Sequence, residues 1–308
     1  MTQGNKTLHM MGTVIELTVE HDDPEPILVE ASRRLKSYEV RFSANDPTSE
    51  LNLINRNAGK KEVCVSSDLY QLIKIGKKHS CQPNSRLNIA IGPLVQAWRI
   101  GFNDARVPTP EEITTLLSLT DPNQIVLNEQ RQAVYLTRQQ MAIDLGSLAK
   151  GYFADLLVSY FKEMNVDSAL INLGGNLVVY GPCPSRQTGM WKIGIQDPKA
   201  SRNQYLLTLQ LMNHSIVTSG IYERQLISKG KSYHHILDPQ TGYPAKTDVA
   251  SLTILSKRSL DGEIWTTRLF GKKKEEILQE LNSLKEIDGI VITTDEEVSY
   301  SDGIKHFL

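Results

Sequence analysis

Polar and β-branched residues alternate through Thr13-Val14-Ile15-Glu16-Leu17-Thr18-Val19, which predicts a half-buried strand that Asp22 to Pro26 bring to an end. The residues before it read as a short polar leader. From Ile27 to Phe42 the spacing changes: Ile27, Ala31, Leu35, Tyr38 and Phe42 recur every three or four positions and share one face of a helix. A second helix is predicted from Ser67 through Leu69, Leu72, Ile73 and Gly76. Thr109-Pro110-Glu111-Glu112 has the form of a capping box with proline at the first helical position, so a short helix toward Leu117 should follow. Ile125 to Leu136 reads as two strands around a turn at Asn128 to Gln130. The widest apolar face lies between Leu148 and Met164, with Tyr152, Phe153, Leu156, Leu157, Tyr160 and Phe161, and Ser147 stands where an N-cap is expected. Strands are predicted at 168–173, 177–180, 191–196, 205–211, 249–255 and 289–293, and a charged amphipathic helix from Lys272 to Leu284.

Strands and helices interleave without a regular βαβ rhythm, which favours an α+β architecture over a doubly wound sheet. No internal repeat, low-complexity tract or linker divides residues 1–308, so one domain is expected, at most in two closely packed lobes. Charge narrows the function. Lys plus Arg number 34 against 35 Asp plus Glu, so no overall basic field attracts nucleic acid or an anionic membrane surface. No apolar run approaches the roughly 20 residues of a membrane span. The start lacks a charged, then apolar, then small-residue signal pattern, and the chain as written reads as cytoplasmic. Cys64, Cys81 and Cys183 are too few and too scattered for a disulfide framework or a zinc site.

Chemistry concentrates in a few segments. In Ile143-Asp144-Leu145-Gly146-Ser147-Leu148-Ala149-Lys150-Gly151, an apolar strand end is expected to deliver Asp144 to a glycine turn, and the free N–H groups of a starting helix then face the same volume as Lys150. That is a phosphate site in outline; a capped helix with a surface lysine would look the same. Asn172-Leu173-Gly174-Gly175-Asn176 joins two strands through paired glycines, as a ligand-facing turn or a plain hairpin would. Thr218-Ser219-Gly220-Ile221-Tyr222-Glu223-Arg224 sets hydroxyls and an acid–base pair beside a strand. In Tyr233-His234-His235-Ile236-Leu237-Asp238-Pro239 two adjacent histidines point to opposite faces, so one of them at most serves a given site, as general base or as a structural residue. Asp261, followed by hydroxyls about a helical turn later, suits Mg²⁺ or a helix cap equally. Gly146 and Gly151 do not form the G-x-G-x-x-G fingerprint of a dinucleotide fold.

Order and combination are more telling than any single motif. Met11-Gly12-Thr13, Gly92-Pro93-Leu94-Val95 with Trp98 and Gly101, Asp144-Leu145-Gly146 with Ala149-Lys150-Gly151, Asn172-Leu173-Gly174-Gly175, Thr218-Ser219-Gly220 with Tyr222, His235-Ile236-Leu237-Asp238-Pro239 with Thr241-Gly242, and Asp261 with Gly271 together resemble the FAD:protein FMN transferase family, also called ApbE. The resemblance implies an α+β fold of mixed, T-fold-related sheets with packed helices. It also implies FAD as substrate, Mg²⁺, and transfer of FMN to a Ser or Thr hydroxyl in a motif of an acceptor flavoprotein, with release of AMP. Carried over by resemblance, Met11, Asn45, Arg86, Leu87, Asn88, Asp144, Lys150, Ile236 and Ile264 would contact FAD. His235 would activate the acceptor hydroxyl. Ser147, through its carbonyl, and Asp261 would hold the metal.

Three positions depart from the family pattern. Asn45 stands where an aromatic residue is usual, Asn88 and Ala90 replace an Asp and a Thr, and the metal-binding Thr four residues after the Asp aligns with Trp265 when no gap is opened. Indole nitrogen is a donor only and cannot ligate Mg²⁺. A flavin-binding paralogue, or an FAD pyrophosphatase with little transferase activity, is the alternative these departures raise. Because many relatives are exported or lipid-anchored, the missing signal pattern directs the search for an acceptor to the inside of the cell.

Overall fold

The computed structural model describes residues 2–200 and 204–308. Along the chain run β1 (Thr2–Met10), β2 (Thr13–His21), α1 (Pro24–Arg41), α2 (Glu50–Arg56), β3 (Val63–Cys64), α3 (Ser67–Ser80), α4 (Gly92–Trp98), α5 (Pro110–Leu117), β4 (Ile125–Asn128) and β5 (Ala133–Leu136). After these come α6 (Ala149–Glu163), β6 (Ser168–Leu173), β7 (Asn176–Tyr180), β8 (Trp191–Gln196), β9 (Tyr205–Leu211), β10 (His214–Gly220), β11 (Gln225–Ser228), β12 (Lys231–His234), β13 (Val249–Ser256), α7 (Ser259–Leu269), α8 (Lys274–Ser283), β14 (Ile287–Thr293) and β15 (Val298–Tyr300). Eight strands form one antiparallel sheet in the order β1-β2-β6-β7-β10-β13-β14-β15, with smaller sheets β3-β5-β4, β8-β9 and β11-β12. The α+β expectation therefore holds, and among the described residues no helix is long and apolar enough to cross a membrane.

Both faces of the large sheet are covered. Val178 belongs to a core shared with Ile15, Leu35, Leu72, Phe153 and Leu157, whereas its neighbour Val179 packs on the other face with Leu209, Ile216 and Ile290. β13 is an interior strand, and all eight of its residues are buried, the hydroxyl residues Ser251, Thr253 and Ser256 included. The polar leader is instead β1, paired along its whole length with β2. Its side chains are exposed or half-exposed throughout, so an edge strand with little apolar face left no hydrophobic signal to read.

Register gathers one end of the sheet. Ile15 faces Leu173, Val217 faces Asn176 and Gly220 faces Ser251. The Met11-Gly12 turn, the Gly174-Gly175 turn and the last residues of β10 therefore lie together. Helix α7 packs on β10 and on α6 beside that end; an added Cβ on Gly262 would stand 2.6 Å from Val217.

Candidate functional site

Asp144 reaches the site without a strand. The segment before α6 is extended, but its backbone is held by the side chain of Asn55, whose Oδ1 accepts from Ile143 N–H at 2.8 Å and whose Nδ2 donates to the Ile143 carbonyl at 3.0 Å. Asp144 N–H donates to the Ile89 carbonyl at 2.9 Å. Its carboxylate accepts the Gly146 N–H at 2.8 Å, yet burial pushes the group above the usual carboxylate range. Ser147 is not the N-cap: α6 starts at Ala149, the cap position is Leu148, and no side chain caps it. Ser147 sits in the preceding turn and is half-buried.

Beyond Lys150, Gly151 marks the crossing with α7. An added Cβ there would stand 2.6 Å from both the Ser259 carbonyl oxygen and Glu263 Cγ. Only glycine permits so close an approach. The Glu263 carboxylate accepts from Asn176 Nδ2 at 2.9 Å, and Ser259 Oγ donates to Asn176 Oδ1 at 2.6 Å. Glu263 is 6% exposed; burial raises its pKa while the nearby charge of Lys150 opposes that rise.

His235 follows β12, and its N–H donates to the Arg224 carbonyl at 3.2 Å. The residue is exposed, yet the protein around its ring desolvates the imidazole. That desolvation, reinforced by the charges of Arg224, His234 and Lys150, pushes its pKa down to about 4. His234 turns the other way and holds the Ala245 carbonyl through Nε2 at 2.9 Å. The following loop is rigid: Asp238 N–H donates to Tyr243 O and Gly242 N–H to Asp238 O, both at 2.8 Å, Asp238 accepts from Arg86 at 2.7 Å, and Trp98 Nε1 donates to Gly242 O at 2.8 Å. Arg224 forms no ion pair with Glu223 among the described residues. It lies instead against Gly12 and Gly101, where added Cβ atoms would stand 3.2 and 2.9 Å from it.

Lys150, His235 and Glu263 therefore share one electrostatic neighbourhood, with Arg224 beside His235. Asp261 lies outside this group: its charged neighbours are Arg258 and Asp155, and partial burial raises its pKa. Trp265 is half-buried against the core that contains Leu252, Leu269 and Phe270, with the Arg268 guanidinium 4.4 Å over its ring. Thr266 is fully buried and donates to the Glu263 carbonyl at 3.1 Å, so it cannot stand in for a ligand at Trp265. Thr267 is one helical turn after Glu263 and on the same face. Glu263-x-x-x-Thr267 also has the acid-to-threonine spacing that Asp261, with Trp265 four residues later, lacks. The local signal was thus present, two residues along.

The remaining expected contacts divide. Met11 adopts φ +55° in the β1–β2 turn, and its N–H donates to the Glu39 carboxylate. Ile236 is half-buried and Asn45 exposed. Leu87 and Ile264 are core residues, 0% and 1% exposed, and their side chains are closed to a ligand. Asn88 is engaged internally, accepting from Ala90 N–H and donating to Thr120 O, both at 2.8 Å. Among the described residues no three His, Cys, Asp or Glu side chains converge as a metal cluster. A separate cavity of about 410 Å³, lined in part by Asp197, Leu206, Tyr222 and Glu296, contains none of the charged groups above.

The ApbE family model matches residues 11–291. The chain is 39% identical over 292 residues to an FAD:protein FMN transferase of Klebsiella pneumoniae (strain 342), covering 95% of this chain and 90% of that protein. It is 34% identical over 310 residues to an FAD:protein FMN transferase of Treponema pallidum (strain Nichols), covering 96% and 86%. The crystal structure of the ApbE protein of Thermotoga maritima superposes with a TM-score of 0.91 at 25% identity, covering 99% of each chain. The flavin transferase ApbE from Vibrio cholerae shares the fold with a TM-score of 0.85 at 23% identity, over 100% and 99% of the two chains.

Proposed function

Since the chain belongs to the ApbE family, we propose that it is an FAD:protein FMN transferase, moving FMN from FAD to a Ser or Thr hydroxyl of an acceptor flavoprotein and releasing AMP. The observation that carries the reading is that Glu263 of α7 packs against Gly151, next to Lys150 on α6, with the Lys150 charge bearing on both the Glu263 carboxylate and the His235 ring. A histidine held neutral can accept the hydroxyl proton as the oxygen attacks the FMN phosphorus. The phosphoanhydride bond to AMP then breaks, while Lys150 and Arg224 offset the phosphate charge; the first N–H groups of α6 do not add to this, since Ala149 N–H donates to Leu145 O and Tyr152 N–H to Leu148 O. Phosphoryl-type transfer asks little more of a protein than this positioning and charge compensation.

The donor set fits a hard cation. Glu263, Thr267 and the Ser147 carbonyl offer only oxygen, in a number that leaves coordination positions for phosphate oxygens and water, as Mg²⁺ prefers. Bound there, Mg²⁺ would supply charge neutralisation on the pyrophosphate.

The test is incubation with FAD, Mg²⁺ and a candidate acceptor flavoprotein, read as flavin fluorescence that stays with the acceptor band after denaturation, together with AMP. Transfer that His235→Ala lowers by about 10²-fold or more supports the reading. AMP without a labelled acceptor makes the chain a pyrophosphatase, and FAD bound but released intact makes it a flavin-binding paralogue.

A further inference from the structure

Helix α7 has no cap of its own. Its N-cap position is Arg258, with the extended backbone of a cap (φ −112°, ψ 133°), but no side-chain bond is made from there. The cap comes from another helix. Asp155, about a turn beyond Gly151 on α6, accepts Ser259 N–H on Oδ1 at 2.7 Å and Leu260 N–H on Oδ2 at 3.0 Å, across 104 and 105 residues of sequence. Both oxygens are committed to the first turn of α7, where a carboxylate also meets the positive end of the helix. Arg258 lies 3.9 Å away on the outer side.

A cap supplied by the preceding residue would stabilise α7 wherever the helix sat. One supplied by α6 also fixes where α7 sits. Two contacts join the two helices at this end, the Asp155 cap and the notch at Gly151 that receives Ser259 O and Glu263 Cγ, while Asn176 at the start of β7 ties α7 to the sheet through both Ser259 and Glu263. Lys150 is beside the notch on one helix, and Glu263 and Thr267 follow on the other. We propose that Asp155 is a positioning residue: an inter-helix cap that sets α7 along its axis and so holds Glu263 and Thr267 opposite Lys150 to receive a divalent cation with the pyrophosphate of FAD. The proposal rests on the functional reading above.

Stability and position are separable because the natural cap site is empty of a capping side chain. Asp155→Ala removes the tether, and Arg258→Ser in the same chain restores a local cap without it. The measurements, on the full chain with FAD, are thermal unfolding, Mn²⁺ binding followed by electron paramagnetic resonance, and the Mg²⁺ dependence of transfer. Asp155→Ala is expected to lower Tm and to weaken Mn²⁺ binding at least tenfold. Half-saturation by Mg²⁺ should rise correspondingly, with kcat at saturating Mg²⁺ within a few-fold of the parent. Adding Arg258→Ser should recover Tm but not Mn²⁺ affinity. If Mn²⁺ affinity is unchanged in Asp155→Ala, or returns together with Tm in the double variant, Asp155 is only a stabilising cap and the proposal falls. Should Asp155→Ala fail to fold, Asp155→Asn, which keeps the shape but a single acceptor oxygen, is read by the same criteria. Failure of the parent chain itself to bind Mn²⁺ with FAD overturns the functional reading, and this assignment with it; equal binding by parent and variant overturns the assignment alone.

Discussion

His235 shows how desolvation and neighbouring positive charge bias one imidazole. In the unfolded chain it takes its proton below about 6.5, but in the folded protein only below about 4. Between those values the unfolded state binds more protons, so folding stability falls as pH drops through the window and is unaffected by this group above it. Urea midpoints of the ligand-free protein at pH 7 and pH 5 should differ less in His235→Asn than in the parent; an equal difference would show that the ring titrates normally. The same window keeps the base deprotonated at neutral pH. The two acids of α7 give a second test at this scale. Glu263→Gln should reduce Mg²⁺-dependent transfer by about 10²-fold or more, on the scale of losing a charge-stabilising group from a reacting site. Asp261→Asn should change it only a few-fold. The opposite ranking in rates measured at fixed Mg²⁺ would return the metal to Asp261. The sequence reading placed the metal at Asp261 and passed over Glu263, because helix phase tells which residues share a face but not which face meets Lys150.

At the scale of elements, periodicity located what packing dictates. The helices at α1, α3, α5, α6 and α8 and the strands β2, β6 to β9, β13 and β14 follow from apolar spacing, since each buries a stripe or a face. The elements that escaped have other reasons to exist. β1 is an exposed edge, α2 and α4 are short, and the segment before α6 looks like a strand but takes its partners from the Asn55 side chain and the Ile89 carbonyl. Pattern also misjudged the start of α6, whose cap position is occupied by Leu148 rather than Ser147. The α6–α7 crossing depends on one missing methyl group. Gly151→Ala would set a Cβ 2.6 Å from a backbone carbonyl oxygen, and overpacking of this kind costs about 1–3 kcal/mol. Thermal unfolding should show the loss, and FAD binding should weaken with it; an unchanged Tm would mean that the helices separate without penalty.

Over the whole molecule, the antiparallel sheet divides stability unequally. β13 is paired on both sides and buried along its full length, whereas β1 has one neighbour and an exposed pattern. Amide hydrogen exchange should therefore be slowest in β13 and fastest, among strands of the large sheet, in β1; comparable rates would show that the sheet opens as one unit. The α+β class and the order of the motifs were legible in the sequence because they rest on local signals. The grouping of Lys150, Arg224, His235 and Glu263 was not, because register and helix crossing create it. Arg224 makes that dependence concrete. Its side chain lies against Gly12 and Gly101 while its carbonyl holds His235. Three stretches of chain, the earliest and latest more than two hundred residues apart, must already be docked before that contact exists. On a ribosome, the first half of the polypeptide emerges with the start of α6 still ahead of Arg224, His235 and Glu263. Flavin binding should accordingly be among the last properties acquired during folding, and a truncated product ending before α7 would lack it however well its sheet had formed.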